Sequence, residues 1–421
     1  MRPCIPVPPA CPTSTVRLTA KDSGSIGTGN RLNQRLISDG LYSPRCHALR
    51  KMELDLVTVN PAATDFQLGL TADFYRPDGQ LQYADIGLDR VQSVPSFAVR
   101  ALNDHQPELT AAQLQNLDGV IVLSPRVTAK SLQGCPDLLA IGRFGVGYDS
   151  VDVAACTAAD VLLYITAGAV DHSVAEATVG WMLALTHHVR TKDQLVRTGQ
   201  WDARSRYMGR ELRDRTIGLV GFGGIGKAVF KLLSGFGIRR PLVYDPGLSD
   251  TVIAEWGGTP VPLDELLQRA DIVTLHCPLN KETRGLIGAR ELALMPPTSY
   301  LINTARGGIV DEEALFRALQ TGQIAGAALD CFVGEPITTP HRFGELDNVL
   351  LAPHSIAWTD ELFRDIGRAA FQGMLDLSRG LKPRGVINPE LFDRPSFIKK
   401  WNRICYPALP CDLTSSYRGL K

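Results

Sequence analysis

The sequence predicts an α/β protein built from two domains, each a doubly wound parallel sheet. Three observations lead there. The chain has 421 residues, too many for one ordinary hydrophobic core. Between residues 54 and 166, short apolar runs alternate with mixed segments. From residue 216 the alternation is cleaner, with apolar runs separated by amphipathic stretches of helical length, the pattern of parallel crossover units.

Residues 1–51 differ from the rest of the chain. They hold five prolines in the first twelve positions, many Ser, Thr and Gly, and only Asp22 and Asp39 as acids. This composition predicts a disordered extension. An arginine-rich, acid-poor transit peptide is the alternative, although the early prolines spoil an amphipathic helix, and Met52 is a candidate second start.

The first series of predicted strands is LDLVTV at 54–59, FAVRAL at 97–102, LDGVIVL at 117–123, LLAIGRFGVG at 138–147 and DVLLYIT at 160–166. Residues 172–190, HSVAEATVGWMLALTHHVR, are apolar on nearly every side and predict a buried helix that joins the domains. Ser173 and Glu176 have the spacing of a helix-capping box. For His172, His187 and His188, packing or solvent exposure is the expected role.

The second series runs TIGLV, a glycine turn, helix GIGKAVFKLLSGFG, PLVYD, a helix near 263–270, DIVTLH, SYLINTA, helix DEEALFRALQTG, AGAALDCF and NVLLAP. Thr359–Gly380 then predicts a long amphipathic helix that returns to the first domain, with Asp360 and Glu361 suited to its positive end. The tail at 391–421 carries Trp401, Tyr406 and three prolines and suggests no function.

Lysine plus arginine equals aspartate plus glutamate at 44 each, so charge offers no reason to expect nucleic acid or a membrane surface as partner. A small molecule fits better. No apolar run reaches the roughly 20 residues of a membrane span. The nine cysteines include no CxxC pair and are odd in number, which predicts reduced thiols in a cytoplasmic protein and no zinc site. Cys277 and Cys331 are expected to pack as small apolar residues.

Gly221, Gly223 and Gly226 form GxGxxG directly after a predicted strand and at the start of a helix. There the bare amides of the turn, Gly224 and Ile225 included, can approach a pyrophosphate that the helix dipole also favours. Asp245 ends the next strand, where a carboxylate accepts hydrogen bonds from adenosine ribose hydroxyls and repels a 2′-phosphate. NAD is therefore expected over NADP, although Arg239 and Arg240 lie nearby.

Downstream, Arg306, Glu335 and His354 each fall just past a predicted strand end, where such folds bind ligands. An arginine fork holds a carboxylate through two charge-assisted bonds. A histidine moves the proton that accompanies a hydride. A glutamate beside that imidazole favours its charged form and occupies one ring nitrogen, freeing the other. The trio predicts hydride transfer on a 2-oxo or 2-hydroxy acid.

From about residue 117 to 388 the chain resembles the D-isomer-specific 2-hydroxyacid dehydrogenases. The matches are GRFGVGYDSVD at 142–152, SVAE at 173–176, GLVGFGGIG at 218–226, TLHCPLNKETRGLIG at 274–288, LINTARGGIVDEEAL at 301–315, ALDCFVGEP at 328–336 and NVLLAPHSIAWT at 348–359. The resemblance implies a flavodoxin-like substrate-binding domain, residues 52–170 with 355–390, and an NAD-binding Rossmann domain, residues 171–354. It implies that Arg306 binds substrate carboxylate and carbonyl, that His354 is the acid/base and that Glu335 pairs with it. It further implies that Asp330 meets the nicotinamide carboxamide and that the amides of Val146 and Gly147 help hold the substrate. His276, Cys277 and Pro278 then line the adenosine side, and Thr283, Thr304 and Ala305, together with Arg306 and His354, join the cofactor contacts. A two-fold homodimer built largely from the nucleotide domains is also implied, with the 172–190 helix and its neighbourhood as its expected interface.

Relatives often carry Asn and Pro before SVAE, where this chain has ITAGAVDHSVAE. Trp358 is open to two readings, pocket wall or packing for the next helix, and whether Arg100 or Arg143 reaches the pocket is open. Glyoxylate or hydroxypyruvate, phosphoglycerate and larger or aromatic 2-oxo acids all remain as substrates. Formate dehydrogenases resemble a pattern with glutamine at the position of Glu335, which favours the hydroxy-acid reaction. The alternative of a different class is an NAD-sensing scaffold of the C-terminal-binding corepressor type.

Overall fold

The computed structural model describes residues 66–405. The expectations for residues 1–51, for LDLVTV at 54–59 and for the tail from 406 onward lie outside the described residues.

Five strands form the first sheet: β1 Phe66–Leu70, β2 Phe97–Ala101, β3 Gly119–Val122, β4 Ala140–Arg143 and β5 Leu162–Ile165. They stand in the order β2-β1-β3-β4-β5, every pair parallel, which is the flavodoxin-like winding. Three short helices serve this sheet: α1 Asp89–Gln92, α2 Ala111–Leu114 and α3 Val153–Ala158. The strand GVIV is buried at all its positions, as expected where both faces of a parallel sheet are covered.

Two helices come next, α4 Asp171–Thr186 and α5 Val189–Arg197, and then the second sheet. Its strands are β6 Ile217–Val220, β7 Leu242–Tyr244, β8 Thr259–Pro260, β9 Ile272–Leu275, β10 Tyr300–Asn303, β11 Gly326–Leu329 and β12 Val349–Leu351. They are all parallel, in the order β12-β11-β10-β9-β6-β7-β8. The winding reverses between β6 and β9, where a Rossmann sheet opens a crevice for its ligand. Helices α6 Gly224–Leu232, α7 Asp250–Glu255, α8 Leu263–Arg269, α9 Ala289–Leu294 and α10 Glu312–Gln320 make the crossovers.

Helix α4 packs Ala175, Val179, Met182 and Leu185 against Ile217, Leu219, Phe222 and Val229 of the second sheet's core. Val174 and Ala177 of the same helix pack on the first core. Its sequence is apolar on many sides because it has two cores to cover. Two expectations are corrected here. The helix begins at Asp171 with Val170 as its cap, so Ser173 lies inside it and the Ser173 and Glu176 capping box does not form. Glu176 instead lies 3.4 Å from His172 one turn back. The 172–190 stretch is also not one helix, because His188 takes a left-handed φ of 54° and the chain restarts as α5. His187 is exposed and His188 is half-buried.

Most apolar side chains of α4 are thus covered within the chain. Exposed apolar side chains occur just beyond it, at Val189, Val196, Trp201 and Met208. Among the described residues no helix is long and apolar enough to cross a membrane.

Helix α11, Asp360–Ser378, is capped by Thr359, whose side chain accepts from Leu362 N at 3.1 Å. It returns to the first sheet, burying Phe363, Ile366, Phe371 and Met374 against Phe66, Leu68, Leu70 and Tyr164. The last helix, α12 Pro395–Cys405, joins the same core through Phe397. Its Trp401 donates to Leu377 O at 2.7 Å, and Lys400 donates to the carbonyls of Leu138, Ala159 and Asp160 at 2.7–3.1 Å. The part of the tail within the described residues therefore completes the first core.

The approach of α11 to the loop before α1 demands a glycine. A Cβ on Gly367 would lie 1.6 Å from Ile86 O. We predict that Gly367→Ala destabilises the protein by about 1–3 kcal/mol, the usual range for overpacking, seen as a lower melting temperature. An unchanged melt would contradict this packing.

Candidate active site

The glycine turn leaves β6 at its carboxyl end. Gly221 has φ of 92°, and a Cβ there would meet the backbone of His276 and Cys277 at 2.7 Å. A Cβ on Gly226 would lie 2.4 Å from Gly221 O, so helix α6 can rise this close to the strand only without a side chain. At Gly223 a Cβ would meet nothing within 4 Å. That open side lets a phosphate reach the backbone at the start of α6, with Gly224 and Ile225 in the first helical turn.

Asp245, after β7, is tied to this turn: Oδ2 accepts from Phe222 N at 2.7 Å and Oδ1 from Gly247 N at 2.9 Å. Each oxygen keeps a lone pair for a ribose hydroxyl. Arg240 donates to Gly257 O at 2.8 Å and Gly258 O at 2.7 Å, which draws its guanidinium toward backbone rather than a 2′-phosphate.

His276 follows β9. Its Nε2 lies 3.0 Å from Thr274 Oγ1, and its Nδ1 is buried without a hydrogen-bond partner. Burial pushes its pKa down to about 3, so the ring is neutral. Burial pushes the Cys277 thiol up to about 11 and the Cys331 thiol upward as well, the behaviour of packing cysteines. Thr283 closes the next turn by donating to Pro278 O at 2.6 Å. Beyond β10, Thr304 Oγ1 lies 3.3 Å from Thr178 Oγ1 of α4, and Ala305 N donates to Asn303 Oδ1 at 3.0 Å. A turn shaped by glycine, a helix start and an acceptor at the neighbouring strand end fit a dinucleotide.

The trio sits past β10, β11 and β12. His354 Nδ1 lies 2.7 Å from Glu335 Oε2, while Glu335 Oε1 accepts from Phe332 N at 2.6 Å. Burial works against ionisation of Glu335, but the hydrogen bond and charge of His354, the Phe332 amide and Arg306 outweigh it and hold its pKa below the usual value. An ionised carboxylate only accepts, so Nδ1 carries the shared proton and Nε2 is left for a ligand.

His354 itself has φ of 53°, a left-handed conformation that is strained for a side-chain-bearing residue. Asp330 holds that turn. Its Oδ1 accepts from Ser355 N at 2.8 Å and Ile356 N at 3.1 Å. Burial pushes its carboxyl up to about 6 against those bonds. One oxygen of Asp330 thus supports the turn that carries His354.

Arg306 does not touch Glu335 or His354 through a direct hydrogen bond in this arrangement. Its Nε donates to Asp149 at 3.1–3.2 Å and its Nη1 to Ala305 O at 2.7 Å. Nη2 lies so close to the loop after β4 that a Cβ on Gly147 would sit 1.4 Å from it. That loop, with Val146, is pinned by Gly145 N donating to Thr166 Oγ1 at 3.1 Å. A cavity of about 230 Å³ is lined by Asp149, Arg306, Phe332 and Glu335 among others.

Three residues that the sequence leaves open or unassigned gain a place. Arg143 donates Nη1 to Val122 O at 3.1 Å and Phe144 O at 2.7 Å, buttressing the substrate-side loop, and burial with nearby Arg306 lowers its pKa to about 10. Asp149 stood inside the GRFGVGYDSVD motif without a role, because nothing in linear sequence pairs it with a residue 157 positions away. Trp358 is 53% exposed and meets Tyr83 and Phe363 edge-on, with ring centroids 5.7 and 5.2 Å apart. It is thus both packed and partly open.

Comparison with known proteins gives this geometry a family. Residues 179–355 match the family model described as D-isomer specific 2-hydroxyacid dehydrogenase, NAD binding domain. Glyoxylate reductase of Thermofilum pendens is 38% identical over 314 residues, covering 72% of this chain and 92% of the relative. D-3-phosphoglycerate dehydrogenase of Synechocystis sp. is 36% identical over 309 residues, and the chain spans 54% of that protein's length. Among solved structures, D-lactate dehydrogenase from Aquifex aeolicus, complexed with NAD and lactic acid, superposes with a TM-score of 0.65 at 26% identity, covering 74% of this chain and 96% of that one. The chain belongs to the D-isomer-specific 2-hydroxyacid dehydrogenase family and carries its NAD-binding domain.

Proposed function

We propose that this protein reduces a 2-oxo acid to its D-2-hydroxy acid, and runs the reverse reaction, with Arg306, Glu335 and His354 as the reacting residues. The observation that carries the reading is the 2.7 Å bond between His354 Nδ1 and Glu335 Oε2 at the strand edge that also presents Arg306. When bound, NADH would supply the hydride for the 2-oxo carbon. Arg306 holds the substrate carboxylate and offsets charge that develops on the 2-oxo oxygen. Protonated His354 donates from Nε2 to that oxygen, and Glu335 steadies the imidazolium. The amides of Val146 and Gly147 take a share of the substrate carboxylate. Asp245 at the glycine turn, with Arg240 drawn toward carbonyls, supports NAD over NADP.

We also propose a homodimer with the 172–190 stretch and its neighbourhood as interface, where Val189, Val196, Trp201 and Met208 expose apolar side chains. A monomer mass in light scattering would refute it. The five described cysteines are unpaired, which supports a reducing compartment such as the cytoplasm.

Three outcomes test the catalytic reading. NADH oxidation is expected with at least one of glyoxylate, hydroxypyruvate, phosphohydroxypyruvate, pyruvate and phenylpyruvate, and Arg306→Ala or His354→Ala should lower kcat/KM about 100- to 10,000-fold while NADH binding persists. Tight NADH binding without turnover of any of them, together with a peptide ligand, would favour the scaffold reading instead.

Glu335 is held below the usual carboxylate range, so its charge is present at neutral pH and supports the protonated histidine. Glu335→Gln removes that charge, and the reductive rate should then fall away at a lower pH than in the parent. An unchanged pH profile would count against the pairing.

Trp358 supplies an aromatic wall four residues past His354. Trp358→Ala should raise KM for phenylpyruvate several-fold more than for glyoxylate; equal effects on both would remove it from the pocket.

A further inference from the structure

The pairing of Arg306 with Asp149 joins the two sheets at the site. Arg306 follows β10 of the second sheet, and Asp149 lies six residues past Arg143, the end of β4 in the first. Arg306 is the less accessible partner, with 24% of its side chain exposed against 52% for Asp149. An exposed ion pair by itself adds little stability. What matters here is which of the arginine's donors the pair uses.

A guanidinium has five N–H bonds in one plane. Asp149 accepts the Nε–H, with its two oxygens at 3.2 and 3.1 Å. Ala305 O takes one N–H of Nη1 at 2.7 Å. With Nε held by Asp149 and one Nη1 N–H held by the carbonyl of Ala305, rotation about the last side-chain bonds is restrained at two points. The end-on edge, one N–H each from Nη1 and Nη2, is then the fork left for a ligand. Gly147 packs its backbone against Nη2, and any Cβ there would overlap the guanidinium and displace it. Two parallel N–H bonds in one plane are the complement of a carboxylate.

We propose that Asp149 is a positioning residue: it orients Arg306 so that the end-on fork of the guanidinium faces the substrate carboxylate. This rests on the reading of Arg306 as the carboxylate holder. It also gives the loop after β4 two tasks, since the residues that approach the substrate, Val146 and Gly147, and the residue that aims the arginine, Asp149, belong to one short segment. The alternative, that Asp149 stands in for the substrate and competes for Arg306, fits less well. A competitor would take the two-pronged edge, whereas both of its oxygens converge on Nε.

The test is a double-mutant cycle on the full chain with NADH, using the 2-oxo acid that the parent turns over best. Asp149→Asn is nearly isosteric and is expected to raise KM for the 2-oxo acid, with kcat/KM down about 10- to 100-fold, the scale of a misplaced binding group. NADH affinity, read by fluorescence, should stay within twofold. Affinity of the NADH complex for oxamate, a carboxylate that does not turn over, should fall in parallel with the rise in KM. Asp149→Glu should recover part of the loss. In an Arg306→Lys background, Asp149→Asn should add less than about twofold, because the fork it aims is gone. A full additional loss there, or an unchanged or improved oxamate affinity in Asp149→Asn alone, would overturn the proposal. If Arg306→Lys itself leaves KM and oxamate binding as in the parent, the carboxylate role of Arg306 falls, and the proposal falls with it for a separable reason.

Discussion

Every strand of both sheets runs parallel to its neighbours, and the site depends on that constraint before it depends on any single side chain. Parallel strands end at one edge, so loops that are distant in sequence are delivered to one place. The second sheet contributes the glycine turn after β6, Asp245 after β7, His276 after β9, Arg306 after β10, Asp330 after β11 and His354 after β12. The first sheet contributes the Gly145 to Asp149 loop after β4. A one-residue slip in register would turn the whole set away from the crevice. Near-continuous apolar strands buried on both faces hold that register.

Around the histidine, two carboxylates of the same local sequence have separate tasks because their surroundings differ. Glu335 meets the imidazole directly and stays ionised through that contact and the Phe332 amide. Asp330 is more deeply placed, its carboxyl pushed up to about 6, and it binds backbone rather than the ring. Its two N–H contacts stabilise a turn in which His354 holds a left-handed φ. The strain and the carboxylate that offsets it are therefore adjacent, a common arrangement where a side chain must point in one direction.

Much of this architecture is legible in the sequence. Apolar runs locate β2 to β7 and β9 to β12, the glycine spacing locates the turn after β6, and strand-end polar residues locate Arg306, Glu335 and His354. These signals are local, so a linear reading finds them. The start of α4 is misread because its cap, Val170, has no polar side chain and the Ser173 to Glu176 spacing imitates one. The break at His188 is hidden because a left-handed residue other than glycine leaves no compositional mark. The partnership of Asp149 and Arg306 is fixed by the tertiary meeting of two loops, and α12 reads as tail because its polar partners come from other elements, Lys400 meeting Asp160 far back along the chain and Trp401 and Cys405 meeting Leu377 of α11.

The central claim is that hydride passes to carbon 2 of an acid held by Arg306 while His354 supplies the proton. Single-turnover reduction with the two epimers of 4-deuterated NADH, followed by mass and chiral analysis of the product, tests it most directly. The account predicts that one epimer places deuterium at carbon 2 of a D-2-hydroxy acid and that the other leaves that carbon unlabelled. Absence of deuterium at carbon 2 with both epimers, or a product of L configuration, would contradict it.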